Sequence, residues 1–221
     1  MSARVQMCAL TILFSLSLLP SVGTTARAQT SACGTAAPVK DFQENIFSSE
    51  ILSDTDYLMV GDRGKIFRSQ DGGQSWKEVP SATEELLFSV SFVDSDRGWI
   101  TGSSGVILHS LDGGKSWRQQ TSGTDKHLFD IDFADPLHGC AVGDWGAVLV
   151  TEDGGAAWQD VSLPLDVVLY GVRLLDSQVG WMVGEFGKML KTTDGGHRWE
   201  ERPQVVEGSL FCLCRACPKC S

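Results

Sequence analysis

The chain has 221 residues, which is enough for one sizeable domain with its own core. Hydrophobic residues make up 42% of it, an ordinary share for a globular protein. The formal net charge of −10 argues against a nucleic-acid partner, because surfaces that bind nucleic acid are basic.

Residues 1–28 have the features of a secretory signal peptide. Arg4 supplies a positive start, a largely apolar stretch runs from Met7 to Val22, and Ala26-Arg27-Ala28 fits a small-residue cleavage site. An uncleaved membrane anchor is the alternative, but polar residues and Pro20 interrupt this short stretch, and no later one is apolar enough to span a bilayer. We therefore expect an exported protein, soluble or peripheral, in the periplasm or thylakoid lumen.

After a lead segment over 29–45, the chain repeats itself every 41 residues without insertion or deletion. Each repeat carries a hydroxyl residue, an Asp-Gly-Gly sequence and a tryptophan at fixed spacing. The four copies are Ser69, Asp71, Gly73 and Trp76; Ser110, Asp112, Gly114 and Trp117; Thr151, Asp153, Gly155 and Trp158; and Thr192, Asp194, Gly196 and Trp199. The repeat units are 46–86, 87–127, 128–168 and 169–209.

The second unit illustrates the elements that each repeat predicts. Residues 89–92 alternate polar and apolar side chains, which indicates a first strand, and 99–101 form a second. Gly102-Ser103-Ser104-Gly105 predicts a tight hairpin in which the glycines have positive φ. Residues 106–110 form a third strand, and Trp117 opens a fourth after the Asp-Gly-Gly turn.

A unit of about 40 residues that contains only strands is typical of a propeller blade. We therefore predict an all-β fold, a β-propeller of four-stranded blades with four complete 41-residue repeats and the start of a fifth at Leu210-Phe211. The predicted ring is incomplete or open. A stacked solenoid is the alternative architecture, and a tightened four-bladed ring is the alternative closure.

The Asp-Gly-Gly motif has a structural explanation. An aspartate at the start of a turn accepts N–H groups from the residues after it, and the glycines permit left-handed backbone. The tryptophan buries a large apolar face. We therefore predict no catalytic residue, metal or cofactor among the motif residues.

The motif S/T-x-D-x-G-x-x-W resembles the Asp-box of the bacterial neuraminidase repeat. Together with Gly98-Trp99-Ile100-Thr101-Gly102 and Gly180-Trp181-Met182-Val183-Gly184, it makes residues 46–211 similar to the photosystem II stability and assembly factor family. That resemblance implies a seven-bladed propeller without catalytic activity, which assists photosystem II assembly in photosynthetic organisms. The chain departs from the family in having four units.

Residues 212–221 form a cysteine-rich tail with Cys212, Cys214, Cys217 and Cys220. Three interpretations are open: a divergent or frame-shifted end, disulfides in an oxidising compartment, and a thiolate metal site. Cys140 occupies a tryptophan position of the repeat and is predicted to be buried and inert.

Candidate binding residues lie where the repeats differ. The tips between the second and third strands vary most, and Trp145 stands there as an aromatic beside an acid, typical of a binding anchor. The links between blades share this face. The candidates for partner binding are Arg63, Lys126, His127, Asp144, Trp145, Glu185 and Phe186.

The predicted function is that of a non-catalytic exported scaffold that binds a protein partner, such as a membrane-protein complex, at or near a membrane. A sialidase-like glycosidase is the enzymatic alternative. It needs converging arginines for a substrate carboxylate, and the arginine positions in this repeat do not supply them. A non-functional remnant of a longer propeller gene is a further alternative. Open blade edges would also allow self-association.

Overall fold

The computed structural model describes residues 44–204 and 206–213. The predicted signal peptide, most of the lead segment, and Cys214, Cys217 and Cys220 lie outside the described residues. Within these two ranges, no helix is long and apolar enough to cross a lipid bilayer.

The described residues form sixteen strands in four antiparallel sheets, which we call blades 1 to 4. Blade 1 contains β1 (Ile46–Ile51), β2 (Tyr57–Gly61), β3 (Ile66–Ser69) and β4 (Lys77–Val79). Blade 2 contains β5 (Leu87–Phe92), β6 (Gly98–Gly102), β7 (Ile107–Ser110) and β8 (Arg118–Gln120). Blade 3 contains β9 (Leu128–Phe133), β10 (Gly139–Gly143), β11 (Val148–Thr151) and β12 (Gln159–Asp160). Blade 4 contains β13 (Leu169–Leu174), β14 (Gly180–Gly184), β15 (Met189–Thr192) and β16 (Glu200–Glu201).

The blades stand side by side and form an open arc. The first strands contact one another in the order β1, β5, β9, β13, whereas β1 and β13 make no comparable contact within the described residues. A separate apolar core fills each of the three junctions between neighbouring blades. The fold is therefore the all-β arrangement of four-stranded blades that the repeat predicted.

Trp99 is a main packing residue of the junction between blades 2 and 3. Its fully buried ring stacks on His109, with centroids 4.7 Å apart, and on Phe133 of the next blade, with centroids 3.5 Å apart. Its indole Nε1 donates to the Gly154 carbonyl oxygen at 3.1 Å. Cys140, at the equivalent position one blade on, is also fully buried, and burial raises the pKa of its thiol.

The first strand of every blade carries a β-bulge. In blade 2, Leu87 lies opposite Gly102 and Ser89 lies opposite Thr101, so Phe88 is the extra residue. Blades 1, 3 and 4 skip the equivalent residue in the same way. A bulge re-aims the side chain of its extra residue, which here is aromatic in all four blades.

The expectation of positive φ at the first glycine of each tip is wrong. Gly102 has φ of −158°, which is extended, and a Cβ there would clash with the Leu86 carbonyl oxygen. The equivalent glycines of the other blades face the same clash, so close backbone approach requires glycine at this position. Positive φ falls instead on Gly105 (70°) and on the non-glycine residue before it.

Residues 210–213 occupy the place of a fifth first strand without forming one. The Leu210 N–H donates to the Gly184 carbonyl oxygen at 2.9 Å, and the Phe211 ring lies 4.9 Å from that of Tyr170. A strand needs a partner along its whole length, and the described part of this segment makes no sheet.

Candidate functional site

Each Asp-Gly-Gly turn is held by the same set of hydrogen bonds. In blade 2, the Ser110 hydroxyl donates to Asp112 Oδ1 at 2.9 Å and accepts the Gly114 N–H at 2.8 Å. Asp112 Oδ1 also accepts the Ser116 N–H at 2.9 Å, and equivalent bonds recur in the other three turns. Despite an opposing contribution from burial, hydrogen bonds from the Ser116 hydroxyl and N–H and from the Ser110 hydroxyl hold the pKa of Asp112 at about 2. The aspartates are thus engaged within their own turns.

The hydrogen bonds also assign the loops to two ends of the blades. The Gly113 N–H of the Asp-Gly-Gly turn donates to the Asp96 carbonyl oxygen, in the turn between the first and second strands. At the other end, the Ser103 N–H donates to the Leu86 carbonyl oxygen in the link between blades. We call this second end the tip face. It comprises the tips 62–64, 103–105, 144–146 and 185–187 and the links 80–86, 121–127, 162–168, 203–204 and 206–209.

The tips hold their central residue in a strained conformation. Arg63, Ser104, Trp145 and Phe186 have φ between 51° and 54°, in the left-handed region that favours glycine. Trp145 and Phe186 are 62% and 65% exposed, so the blade core does not use their rings. Two exposed aromatic residues therefore project from neighbouring tips of blades 3 and 4.

A row of half-exposed aromatic rings crosses the same end of the molecule. The bulge residues of the four blades and Phe211 of the fifth segment form it, and we call it the aromatic ladder. Successive ring centroids lie 5.6, 5.1, 6.0 and 4.9 Å apart. The ladder residues are Phe47, Phe88, Phe129, Tyr170 and Phe211. Interplanar angles of 42–59° leave part of each ring face uncovered by its neighbours.

Carboxylates flank the ladder between blades 3 and 4. Burial and the nearby charge of Glu185 raise the pKa of Asp144, although His127 acts in the opposite direction. Burial also raises the pKa of Tyr170, as do the nearby carboxylates of Glu185 and Asp144. The two acids thus lie close to each other and to a ladder ring, and Glu185 Oε2 also accepts the Val168 N–H at 2.9 Å.

The two basic candidates of the link, Lys126 and His127, make specific contacts in this region. Lys126 Nζ donates to the Trp145 carbonyl oxygen at 3.3 Å. The His127 ring lies 6.3 Å, edge-on, from both Phe88 and Phe129, and its Nδ1 accepts the Ser104 N–H at 3.1 Å. The structure therefore gathers six of the seven candidate residues around blades 3 and 4.

Arg63 is the exception, since it lies on the tip of blade 1 at the other end of the arc. The sequence reasoning also missed the ladder. The sequence does contain a signal for it, an aromatic residue at every forty-first position from Phe47 to Phe211.

A pair of carboxylates on β9 was missed as well. Asp130 accepts the Ser89 hydroxyl of blade 2 at 2.7 Å and the Val172 N–H of blade 4 at 2.9 Å. Asp132 accepts Arg173 Nη1 at 2.6 Å and the Leu174 N–H at 2.7 Å. Burial raises the pKa of Asp130. Between them the two acids join three consecutive blades.

Neither the tip face nor the Asp-Gly-Gly turns form a metal centre in the part of the chain that the structure describes. No three His, Cys, Asp or Glu side chains of residues 44–204 and 206–213 are grouped so that they could hold an ion. Three arginines, Arg68, Arg97 and Arg173, are each paired with an aspartate.

The fold and the repeat place the chain among β-propellers with Asp-Gly-Gly blades. A family model described as photosynthesis system II assembly factor YCF48 matches residues 37–122, 116–163 and 156–212, which together are most of the chain. The chain therefore belongs to the YCF48 assembly factor family. No curated protein sequence matches it.

Solved structures share the fold at low sequence identity. A structure of YCF48 bound to D1 peptide has a TM-score of 0.62 and 22% identity, over 78% of this chain and 57% of that one. An ancestral GH74 enzyme has a TM-score of 0.62 and 18% identity, over 73% of this chain and 24% of the enzyme. The GH74 enzyme of Niastella koreensis has a TM-score of 0.56 and 15% identity, over 68% and 28%. The chain thus spans 57% of the YCF48 chain and about a quarter of each enzyme.

Proposed function

We propose that this chain is a non-catalytic scaffold that binds a protein partner through its tip face. The aromatic ladder is the observation that carries this proposal. A blade core does not need half-exposed rings at a bulge, and exposed aromatic residues are enriched where proteins meet partners. Trp145 and Phe186 add two more exposed rings beside the ladder.

The partner that we propose is a segment of a membrane-protein complex. YCF48, a member of the same family, has been solved with a D1 peptide. This chain would act after export, in the periplasm or thylakoid lumen, at or near the membrane that holds its partner. The predicted signal peptide at 1–28 supports this location.

Glycoside hydrolysis is the less favoured function. The GH74 enzymes share the fold, but a propeller fold hosts unrelated activities, and function resides in the site. The described carboxylates with lowered pKa in the Asp-Gly-Gly turns are occupied by N–H and hydroxyl donors. A glycosidase instead needs a carboxylic acid of raised pKa and a second carboxylate that is free to face a sugar. Asp144 on the tip face has a raised pKa, but its neighbour Glu185 is engaged by the Val168 N–H.

Affinity capture from membrane extract tests the proposal. The tagged chain should retain a partner, and the double variant Trp145→Ala/Phe186→Ala should lose it. Leu111→Ala is the matched control, because Leu111 is 68% exposed and lies at the Asp-Gly-Gly end. Equal retention by the double variant and the wild type would place the binding surface elsewhere.

A further inference from the structure

The tip face combines two features. Half-exposed aromatic rings follow one another along the ladder, and the carboxylates of Asp144 and Glu185 lie beside them, with Glu185 Oε2 held at the N–H of Val168, two residues before Tyr170. Either feature alone is ordinary on a protein surface. Their combination defines a preferred chemistry for the group that binds there.

The charge of the tip face is strongly one-sided. Its basic residues are Arg63 and Lys126, and the Lys126 ammonium already donates to the Trp145 carbonyl oxygen. Its carboxylates are Asp62, Glu84, Glu85, Asp125, Asp144, Asp166, Glu185 and Glu207. A partner that is apolar alone would have to desolvate these charges without replacing their interaction with water, which is costly.

The Asp-Gly-Gly end is also acidic, and its acids differ from Asp144 in the direction of their pKa shifts. Hydrogen bonds from Ser75 and Ser69 lower the pKa of Asp71 to about 2, and Asp94, Asp135 and Asp176 likewise accept turn N–H groups. Asp144 is shifted in the opposite direction, by burial and by Glu185. A cation between blades 3 and 4 would therefore meet two carboxylates, that of Asp144 and that of Glu185, whose Oε2 is held at the Val168 N–H.

A cation also suits the aromatic ladder. Ammonium and guanidinium groups are attracted to the face of an aromatic ring within about 6 Å of its centroid, and guanidinium stacks on it as well. The chain uses this contact elsewhere, since Lys191 Nζ lies 5.5 Å from the centroid of the Trp181 ring. On the ladder, the Tyr170 ring lies beside Glu185, so a ring face and a carboxylate are available to one cation.

The spacing of the ladder fits an extended chain. Its rings are 4.9–6.0 Å apart from blade 3 to the fifth segment. Alternate side chains on one side of an extended peptide are about 6.6 Å apart. A segment with a basic residue at every second position can therefore place successive cations on successive rings.

We propose that the aromatic ladder and the Asp144–Glu185 acids bind an extended, arginine- or lysine-bearing segment of the protein partner. This inference rests on the proposed function and specifies the chemistry of its partner. The cationic side chains lie on the rings of Phe129, Tyr170 and Phe211, and the two carboxylates pair with them.

The test uses a fluorescent synthetic peptide that alternates arginine and serine, with anisotropy as the readout on the full mature chain. The wild type should bind this peptide and should not bind the peptides in which glutamine or glutamate replaces arginine. Glu185→Gln should weaken binding about tenfold, the loss of one desolvated ion pair. Glu152→Gln changes the net charge equally and serves as the control. Glu152 is 69% exposed in an Asp-Gly-Gly turn, so its substitution should weaken binding less than about twofold.

A second variant separates the ladder from the charge. Tyr170→Leu should weaken binding about tenfold, whereas Tyr170→Phe keeps the ring and should retain most of it. If Tyr170→Leu does not fold, Phe211→Leu provides the same test, because Phe211 is 46% exposed. Equal losses for Glu185→Gln and Glu152→Gln, or full binding by both ring variants, would overturn the proposal.

The outcome is distinct from that of the capture experiment. If the tip-face variants lose the partner but the arginine peptide does not bind, the surface is correct and the cationic chemistry is wrong. If the tip-face variants keep the partner, the proposed surface itself is wrong.

Discussion

Trp145 and Phe186 hold a backbone conformation that glycine adopts more easily, and their rings lie in solvent. Both have φ near 54° and are more than 60% exposed. Non-glycine residues in this region cost roughly 1 kcal/mol or more of stability. The same conformation recurs at Arg63 and Ser104, so it belongs to the tip of every blade, and the exposed aromatic rings are what distinguish the tips of blades 3 and 4.

Replacing these tip residues with glycine should therefore separate stability from binding. We expect Trp145→Gly and Phe186→Gly to change the free energy of unfolding by less than about 1 kcal/mol, because relief of strain offsets the added entropy of the unfolded chain. Partner capture should nevertheless fall. Chemical denaturation with the capture assay measures both, and a large loss of stability would assign these rings to the fold.

The tryptophans of the Asp-Gly-Gly motif should behave in the opposite way. Trp117 is 6% exposed and packs edge-on against Phe92, with centroids 5.9 Å apart. Trp117→Ala should lower the free energy of unfolding by about 3–5 kcal/mol, through lost burial and the cavity left behind. Denaturant unfolding monitored by circular dichroism provides the measurement. An unfolding midpoint equal to that of the wild type would contradict the structural role of the motif.

Acid should destabilise the fold through the same motif. The pKa of Asp71 and Asp112 is about 2 in the folded chain against an ordinary value of 3.8, so the unfolded chain binds more protons between these values. Stability is therefore full above 3.8 and decreases as the pH falls towards 2. The raised pKa values of Asp130 and Asp144 affect stability at pH values above 3.8, where these two carboxyl groups lose their protons. Thermal melts of Asp71→Asn/Asp112→Asn should show a flatter decrease, and an unchanged slope would refute the assignment.

At the scale of strands, β9 connects its neighbours more tightly than the other first strands do. The Asp132 side chain is 5% exposed and Arg173 is 17% exposed, so their ion pair is largely removed from water. The positions of blades 1 and 2 that align with Asp132 are Glu50 and Ser91, and the repeat itself does not require this pair. The pair is thus specific to the junction of blades 3 and 4.

Breaking this pair should be costly. Asp132→Ala leaves a largely buried guanidinium and the Leu174 N–H without the carboxylate, so we expect the free energy of unfolding to fall by about 3–5 kcal/mol. Glu200→Ala is the control, because its pair with Arg202 is 75% and 38% exposed and should contribute less than about 1 kcal/mol. Equal effects in urea titrations would show that the junction does not depend on the pair.

How far the sequence predicts this molecule depends on which contacts recur in each repeat. Turns, tryptophans and strands recur every 41 residues, so the blade could be predicted from this period. The contacts of the aromatic ladder could not be predicted, because the direction of the Phe88 side chain depends on a bulge that forms when β5 pairs with β6. The Asp130 and Asp132 contacts were missed for the same reason, since they link residues of different blades.

At the scale of the whole molecule, the two ends of the arc differ from its interior. Trp181 and Ile51 occupy the positions at which Trp99 and Phe133 stack between blades 2 and 3. Trp181 is half-buried, and Ile51 is 38% exposed. Apolar residues that are buried at the internal junctions are therefore partly accessible at the ends, which favours association.

The mature chain should therefore associate through these ends. We expect light scattering to give an apparent mass that rises with protein concentration, and Trp181→Lys with Ile51→Lys to suppress that rise. The Leu111→Lys/Leu137→Lys variant is the control, since it places charges at exposed turn residues away from the junction positions. A monomeric wild type at all concentrations would show that the ends are satisfied within one chain.

The most direct test of the central claim compares the two ends of the blades in the same cell extract. A photo-crosslinking amino acid replaces Phe186, which is 65% exposed on the tip face, or Leu111, which is 68% exposed at the Asp-Gly-Gly end. The proposed function predicts a crosslinked partner band from position 186 and none from position 111. A partner crosslinked from position 111 alone would contradict it.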